Sequence, residues 1–203
     1  MGRRALLFMM LLVFALAGAT TYQFFRGRKQ NLILMREYVR ELERALKPVD
    51  KNYVLLGLYS GFRAEFLLNL PEVYKAEASI ALMPRESLLY YPISLLTLKH
   101  DRFYLVLRLN KKVRDELHAV DPKALKYNAP ELEKKLKHRI SVNGKSYLVN
   151  DPRAGEAFSE LLMPEVLHVS LVPETNVLYL FAKPRPGLVE RIASKALKTV
   201  KAL

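Results

Sequence analysis

The most constraining feature of the chain is an unbroken run of uncharged residues near its start. The run covers 21 residues from Ala5 to Phe25, between Arg3 and Arg4 on one side and Arg26 on the other. As an α-helix it would be about 31 Å long, which matches the hydrocarbon core of a bilayer. The run therefore predicts a transmembrane helix, with the bilayer as the partner of residues 5–25.

A cleaved signal peptide is the alternative interpretation of this segment. Two arginines would form its charged start, and Ala17-Gly18-Ala19 would form a small-residue cleavage site. Against cleavage, apolar and aromatic residues continue past Ala19 to Phe25, and positive charges follow at once. We predict a retained signal-anchor and keep an exported, signal-cleaved binding protein as an alternative.

The charges around the span predict its orientation. Six basic residues follow it closely: Arg26, Arg28, Lys29, Arg36, Arg40 and Arg44. Basic residues beside a span resist translocation, so they favour a cytoplasmic C-terminal domain. The two N-terminal arginines and the amino terminus favour the opposite orientation, so the margin is small.

The composition limits the possible chemistry. The formal net charge is +13, and the chain has no cysteine and no tryptophan. Thiolate metal sites and cysteine nucleophiles are therefore excluded, and anionic lipid or RNA becomes a possible contact. Abundant Lys, Arg and Glu with few labile residues are typical of a thermophile.

A short amphipathic stalk follows the span. Apolar residues recur there with alternating spacings of three and four, at Leu32, Met35, Val39, Leu42 and Leu46. This is the a/d pattern of a coiled coil, but it lasts for only two heptads. Packing on the protein's own domain and pairing with a second helix, from another copy or from a membrane-protein partner, both stay open. Gly27 could make a soft joint between span and stalk.

The pattern beyond Pro48 predicts one mixed α+β domain. Strands are expected at 53–59, 62–66, 74–82 and 103–109, in two hairpins at 139–149 and 166–182, and an apolar helix at 85–98 with Pro92 inside it. Asn143-Gly144 is a typical type I′ hairpin turn. Residues 110–139 appear helical and basic, with Asn128 as a helix cap. A short helix is expected at 151–162, and a basic amphipathic helix at 187–203.

No local pattern in the chain indicates catalysis or a cofactor. Asn143-Gly144-Lys145-Ser146 lacks the upstream glycine of a phosphate-binding loop. The four histidines have no partner at metal-binding spacing, so we predict no catalytic, cofactor-binding or metal residue. A hydrolase-like enzyme would need dispersed groups such as Arg63, Glu65, His100 and His118 to meet in one pocket.

The sequence thus predicts an α+β fold: a single transmembrane helix, a short helical stalk, and one mainly antiparallel sheet of about eight strands with flanking helices. The expected boundaries are 1–27 for the anchor, 28–49 for the stalk and 50–203 for the basic domain. The expected role is a membrane-anchored, non-enzymatic binding or assembly module. Its predicted membrane or partner contacts are Arg26, Arg28, Lys29, Leu32, Met35, Val39, Leu42, Arg191, Lys195 and Lys198.

Overall fold

The span and the stalk form a single helix. The computed structural model describes residues 2–127 and 130–202, and its first element is α1, Arg3–Leu46. Its 44 residues give a length of about 66 Å. The helix ends where Lys47 takes a left-handed conformation, φ 46°, directly before Pro48. Gly27 lies inside the helix, so the expected joint is not a break in secondary structure.

Nine strands follow in the described part of the chain, and all of them join one antiparallel sheet. They are β1 Asp50–Leu55, β2 Gly61–Leu67, β3 Val73–Ala81, β4 Arg102–Leu109, β5 Leu117–Val120, β6 His138–Val142, β7 Lys145–Val149, β8 Val166–Val172 and β9 Val177–Ala182. Their order across the sheet is β1-β2-β3-β4-β9-β8-β5-β7-β6. The predicted α+β class is confirmed.

Four helices complete the described fold beside α1, together with a short 3-10 helix. They are α2 Tyr90–Thr97, α3 Pro130–Lys135, α4 Arg153–Ala157 and α5 Leu188–Ala202, with the 3-10 helix at Pro122–Tyr127. Both predicted hairpins are present. The Asn-Gly turn has positive φ at both residues, 51° and 73°, as its type requires.

The basic segment 110–139 was predicted as helical, which is correct for Pro130–Lys135 and wrong for the part before Pro122. Leu117–Val120 is instead a strand, β5, which pairs with β8 and β7, and all four of its residues are buried. β5 lies inside the sheet between two other strands. This tertiary environment outweighs the local sequence, which is rich in lysine and acidic residues and favours a helix. The predicted cap at Asn128 lies outside the described residues.

Three other predicted boundaries also shift. The first strand is Asp50–Leu55, so 56–59 belong to a loop. The apolar helix begins at Tyr90 instead of residue 85, because Arg85 is engaged by Asp101 in a turn. The helix predicted at 151–162 is the shorter α4, followed by turns.

The main core lies between one face of the sheet and two helices. The second half of α1 and the buried side of α5 pack side by side on this face. On the opposite face, a smaller cluster around Val120, Leu167 and Phe181 lies under the segment of the 3-10 helix and α3. The β1–β4 part of that face presents exposed charged residues such as Arg63 and Glu65.

The two halves of α1 differ completely in burial. From Arg3 to Arg26 the side chains are exposed except for Gln23, which is half-buried. The buried positions begin at Gly27 and continue through Asn31, Met35, Tyr38, Glu41, Leu42 and Leu46. The exposed half is long and apolar enough to cross a membrane, which makes it a candidate span.

Candidate functional site

The best-defined polar site of the molecule is the junction between α1 and the sheet domain. At its centre is Asn31, which is completely buried. Its Nδ2 donates to the carbonyl oxygens of Tyr59 at 2.9 Å and Met83 at 3.0 Å, and its Oδ1 accepts from Arg85 Nη1 at 3.0 Å. One side chain therefore fixes α1 to the β1–β2 loop and to the segment that follows β3.

A buried ion pair holds the second of these segments in place. Arg85 donates from Nη1 and Nη2 to the two carboxylate oxygens of Asp101, at 3.0 and 2.7 Å. Asp101 also accepts the backbone N–H of Met83 at 2.8 Å. Because the pair is bidentate and the carboxylate is further hydrogen-bonded, the start and the end of the β3–β4 connection are fastened together.

Contacts on the preceding turns of α1 extend the junction toward the apolar half. Gln23 donates from Nε2 to the carbonyl oxygen of Arg85 at 2.6 Å. Gly27 packs so closely that a Cβ atom there would collide with the backbone of Arg85. Glycine is thus required for close approach, and the predicted joint is a point of tight packing.

Aromatic and cationic groups surround the same turns. The Phe24 ring lies 6.2 Å from the Tyr59 ring in an edge-on arrangement. The Arg28 guanidinium lies 4.6 Å from the centre of the same Tyr59 ring, within the range of a cation–π contact. The β1–β2 loop is therefore fixed to the last turns before the domain.

The C-terminal part of α1 packs against the C-terminal helix, α5. Glu41 is completely buried, and its carboxylate accepts the backbone N–H groups of Gly187 at 2.6 Å and Glu190 at 3.0 Å. These donors belong to the N-terminus of α5, where a carboxylate complements the helix dipole. The stalk consequently packs on its own domain, one of the two arrangements left open by the sequence.

A groove remains along α1, beside the edge strand β1. Two cavities of about 270 and 430 Å³ lie next to each other along the helix, and Leu32 and Arg36 line both of them. The cavity nearer the sheet is walled almost entirely by apolar side chains, including Val39, Tyr53 and Leu55. The cavity nearer the span adds Phe25, Ile33 and the cations Arg28 and Lys29. We call this surface the stalk groove.

The predicted stalk contacts fall into three environments. Arg26 and Lys29 are exposed, whereas Arg28 is half-buried over Tyr59. Leu32 and Val39 are half-buried in the walls of the stalk groove. Met35 and Leu42 are buried in the protein's own core.

The predicted contacts on the terminal helix lie along the outer side of α5. Arg191 and Lys198 are exposed, and Lys195 donates to the carbonyl oxygen of Glu160 at 2.8 Å. The apolar side of α5 is buried against α1 and the sheet. Only its basic side is open to an anionic partner.

The structure brings two histidines together that the sequence left apart. His118 on β5 and His168 on β8 approach to 3.3 Å between Nδ1 and Nε2, and His118 Nε2 lies 2.9 Å from Glu116 Oε1. Burial, with a smaller effect from His118, lowers the pKa of His168 to about 3. His168 therefore stays neutral at physiological pH. Among the residues described, no group of three potential metal ligands occurs.

The four groups considered for a hydrolase do not converge. Arg63 and Glu65 lie on β2, and His118 lies on β5, five strand positions away in the sheet order. At about 4.8 Å per strand this separation is about 24 Å. His100 follows α2, where its Nδ1 lies 2.8 Å from its neighbour's carbonyl oxygen. The arrangement gives no support to a shared acid–base site.

The junction residues were missed at the sequence level, although a signal exists. Gln23, Gly27 and Asn31 recur every four residues and continue into Met35 on the same side of the helix. Small and polar residues at every fourth position, followed by apolar residues on the same side, indicate a helix face that packs closely against backbone. The histidine pair has no comparable signal, since its members are 50 residues apart.

Comparison of the sequence with models of known protein families and with curated proteins gives no match.

Proposed function

We propose that the protein is a single-pass membrane protein whose C-terminal domain is a non-enzymatic binding or assembly module on the cytoplasmic side. One observation carries the proposal: an apolar half-helix with no fully buried side chain continues without a break into a helix packed on a folded basic domain. In water the exposed apolar surface would be costly, whereas a bilayer would cover it.

Retention of the anchor is part of this proposal. The helix passes through Ala17-Gly18-Ala19 without a break and continues into the packed half of α1. Gln23 and Gly27, shortly after this site, are fastened to the backbone of Arg85. These contacts lie beyond the cleavage site and would remain in a cleaved chain; retention is favoured by the apolar and aromatic residues that continue past Ala19 to Phe25 and by the positive charges after them.

The stalk groove is the proposed binding surface. Its cavity nearer the sheet is apolar, its cavity nearer the span also contains cations, and it begins beside the end of the span. An apolar helix with acidic residues, supplied by a neighbouring membrane protein, fits this chemistry. Tethering in the membrane plane would raise the effective concentration of such a partner, so that even a small groove could be occupied.

Anchoring and orientation can be tested with the cysteine-free chain. Alkaline carbonate should leave the full chain in the membrane pellet and release a variant that lacks residues 3–25. In intact cells, a membrane-impermeant thiol reagent should label Ser146→Cys, an exposed position, only after lysis. Asn143, in the turn of the same hairpin, is also exposed but is unsuitable because its φ is positive. Carbonate release of the full chain would refute anchoring, and labelling of intact cells would reverse the orientation.

Occupancy of the groove needs a separate test. A photo-crosslinker on Leu32→Cys, in the groove, should give a discrete membrane-protein adduct in native membranes. The same reagent on Gln30→Cys, exposed on the same helix, should not. Equal adducts from both positions, or none from Leu32→Cys, would contradict a binding role for the groove. An adduct of twice the chain's mass would identify self-association.

A further inference from the structure

The apolar side chains at one end of the domain form a surface that the core does not use. Seven large side chains there are between 46 and 78 % exposed, far more than a core residue would be. They are Leu55 and Leu58 around the β1–β2 loop, and Leu89, Tyr90, Ile93, Leu95 and Leu96 in and beside α2. We call them the apolar rim.

Both parts of the apolar rim are attached to α1 beside the end of its apolar run. The β1–β2 loop contacts α1 through Tyr59, which accepts from Asn31 and lies against Phe24. The α2 segment is attached through Arg85, which accepts from Gln23. These helix positions lie within two turns of Phe25, where the candidate span ends.

The loops at the opposite end of the same strands have a different character. The segment after β4 contains Lys111, Lys112 and Arg114, and the β8–β9 turn contains Glu174 and Asn176. Strands β2, β3 and β4 therefore run between an end where seven exposed apolar side chains occur, next to the apolar half of α1, and an end where the exposed apolar residues Val49 and Leu67 are accompanied by the cations after β4. This polarity follows the direction of the helix.

We infer that the apolar rim inserts into the headgroup region and upper acyl chains of the bilayer that α1 spans. The inference rests on the proposed anchor, since α1 is what brings the rim to the lipid surface. The interfacial region is about 5–7 Å deep on each side of the hydrocarbon core, so side chains beside the end of a span fall within it. Tyr90 suits this depth because its ring is apolar and its hydroxyl is polar.

The surrounding charge favours a lipid surface over a second protein as the occupant. Exposed Arg26, Lys29 and Lys99 lie on the helix turn after the span and just beyond α2. Cations beside an apolar wedge suit anionic headgroups above acyl chains. With the rim inserted, the domain would contact the bilayer at α1 and at the two loops, which would fix its tilt.

The absence of tryptophan allows a direct test. The full chain would be reconstituted into phosphatidylcholine–phosphatidylglycerol vesicles with bromine atoms either high or low on the acyl chains. Three single-tryptophan variants would be compared: Leu96→Trp in the rim, Tyr74→Trp as the control, and Leu11→Trp in the span. Leu96, Tyr74 and Leu11 are 78, 46 and 69 % exposed, so each position has room for an indole ring.

The expected result is strong quenching of Leu96→Trp by the shallow bromines, with little quenching of Tyr74→Trp at the far end of β3. Leu11→Trp should be quenched by the deep bromines, which reports insertion of the anchor separately. Quenching of Leu11→Trp without quenching of Leu96→Trp would overturn the rim inference and leave the anchor intact. Equal quenching at positions 96 and 74 would also overturn it. No quenching at position 11 or 96 would overturn both proposals.

Discussion

The two halves of α1 have the same backbone conformation, but the first is exposed and the second packs on the domain. Between Arg3 and Arg26 no side chain is fully buried, whereas between Gly27 and Leu46 seven are. The first half is predominantly apolar, and the second is amphipathic with polar residues on its buried side. The comparison teaches that apolar content alone does not identify a packed helix: the more hydrophobic half is the one the protein leaves uncovered.

The buried face of the second half is unusual because it includes Asn31, Tyr38 and Glu41. Each has a burial of 99 % or more, and two of them bind backbone groups of other segments. Burying such groups costs free energy unless they are hydrogen-bonded, so the helix packs favourably only where these partners are within reach. This requirement makes the docking of α1 specific in register and rotation.

The largest expected contrast comes from the same substitution in each half. Leu42→Ala removes a completely buried side chain and should lower the free energy of unfolding by about 2–5 kcal/mol. Leu11→Ala, at a position that is 69 % exposed, should change the free energy of domain unfolding by less than about 0.5 kcal/mol. Denaturant titration of the full chain in detergent would measure both. Similar losses would mean that the two halves do not differ as described.

A second contrast concerns polar residues one position apart. Asn31→Leu leaves the carbonyl groups of Tyr59 and Met83 without their donor, and the expected loss is about 3 kcal/mol of unfolding free energy. Gln30→Leu, at an exposed position, should cost less than about 0.5 kcal/mol. Thermal unfolding would compare the two. An Asn31→Leu protein as stable as the unsubstituted chain would argue against the junction.

The smallest expected effect is at the N-terminus of α5. Glu41→Gln keeps the shape of the side chain but removes its charge and one of two acceptor oxygens, which should cost about 1–2 kcal/mol. Glu37→Gln, one turn earlier and half-buried, is the matched control and should be close to neutral. Hydrogen exchange of the first α5 amides should rise in the Glu41 variant alone. Unchanged protection would contradict the capping role.

Much of the fold could be predicted from short-range patterns. Alternating residues predicted β2 and β3, and Asn143-Gly144 predicted the β6–β7 hairpin, because turn type and strand alternation are local properties. The uncharged run predicted the long apolar helix. In each case a continuous stretch of the sequence contained the physical cause.

The remaining features depend on partners distant in the chain. β5 has only four residues, and its burial comes from β7 and β8 on either side. The sequence pattern put Leu32 and Val39 on the stalk's apolar stripe, whereas the structure buries Asn31 and Tyr38 and leaves those two half-exposed. Asn31 can occupy a buried position there because Tyr59, Met83 and Arg85 are its hydrogen-bond partners, and no local period contains that information.

The decisive measurement is the distance between the two halves of α1 in a bilayer. Spin labels on Leu11→Cys and Arg40→Cys, both exposed and both in a cysteine-free chain, would report it by pulsed electron paramagnetic resonance. An uninterrupted helix places the two Cα positions about 44 Å apart and should give one narrow distribution. A broad distribution, or one centred well below that value, would show a joint near Gly27 and contradict a domain held rigidly by its membrane span.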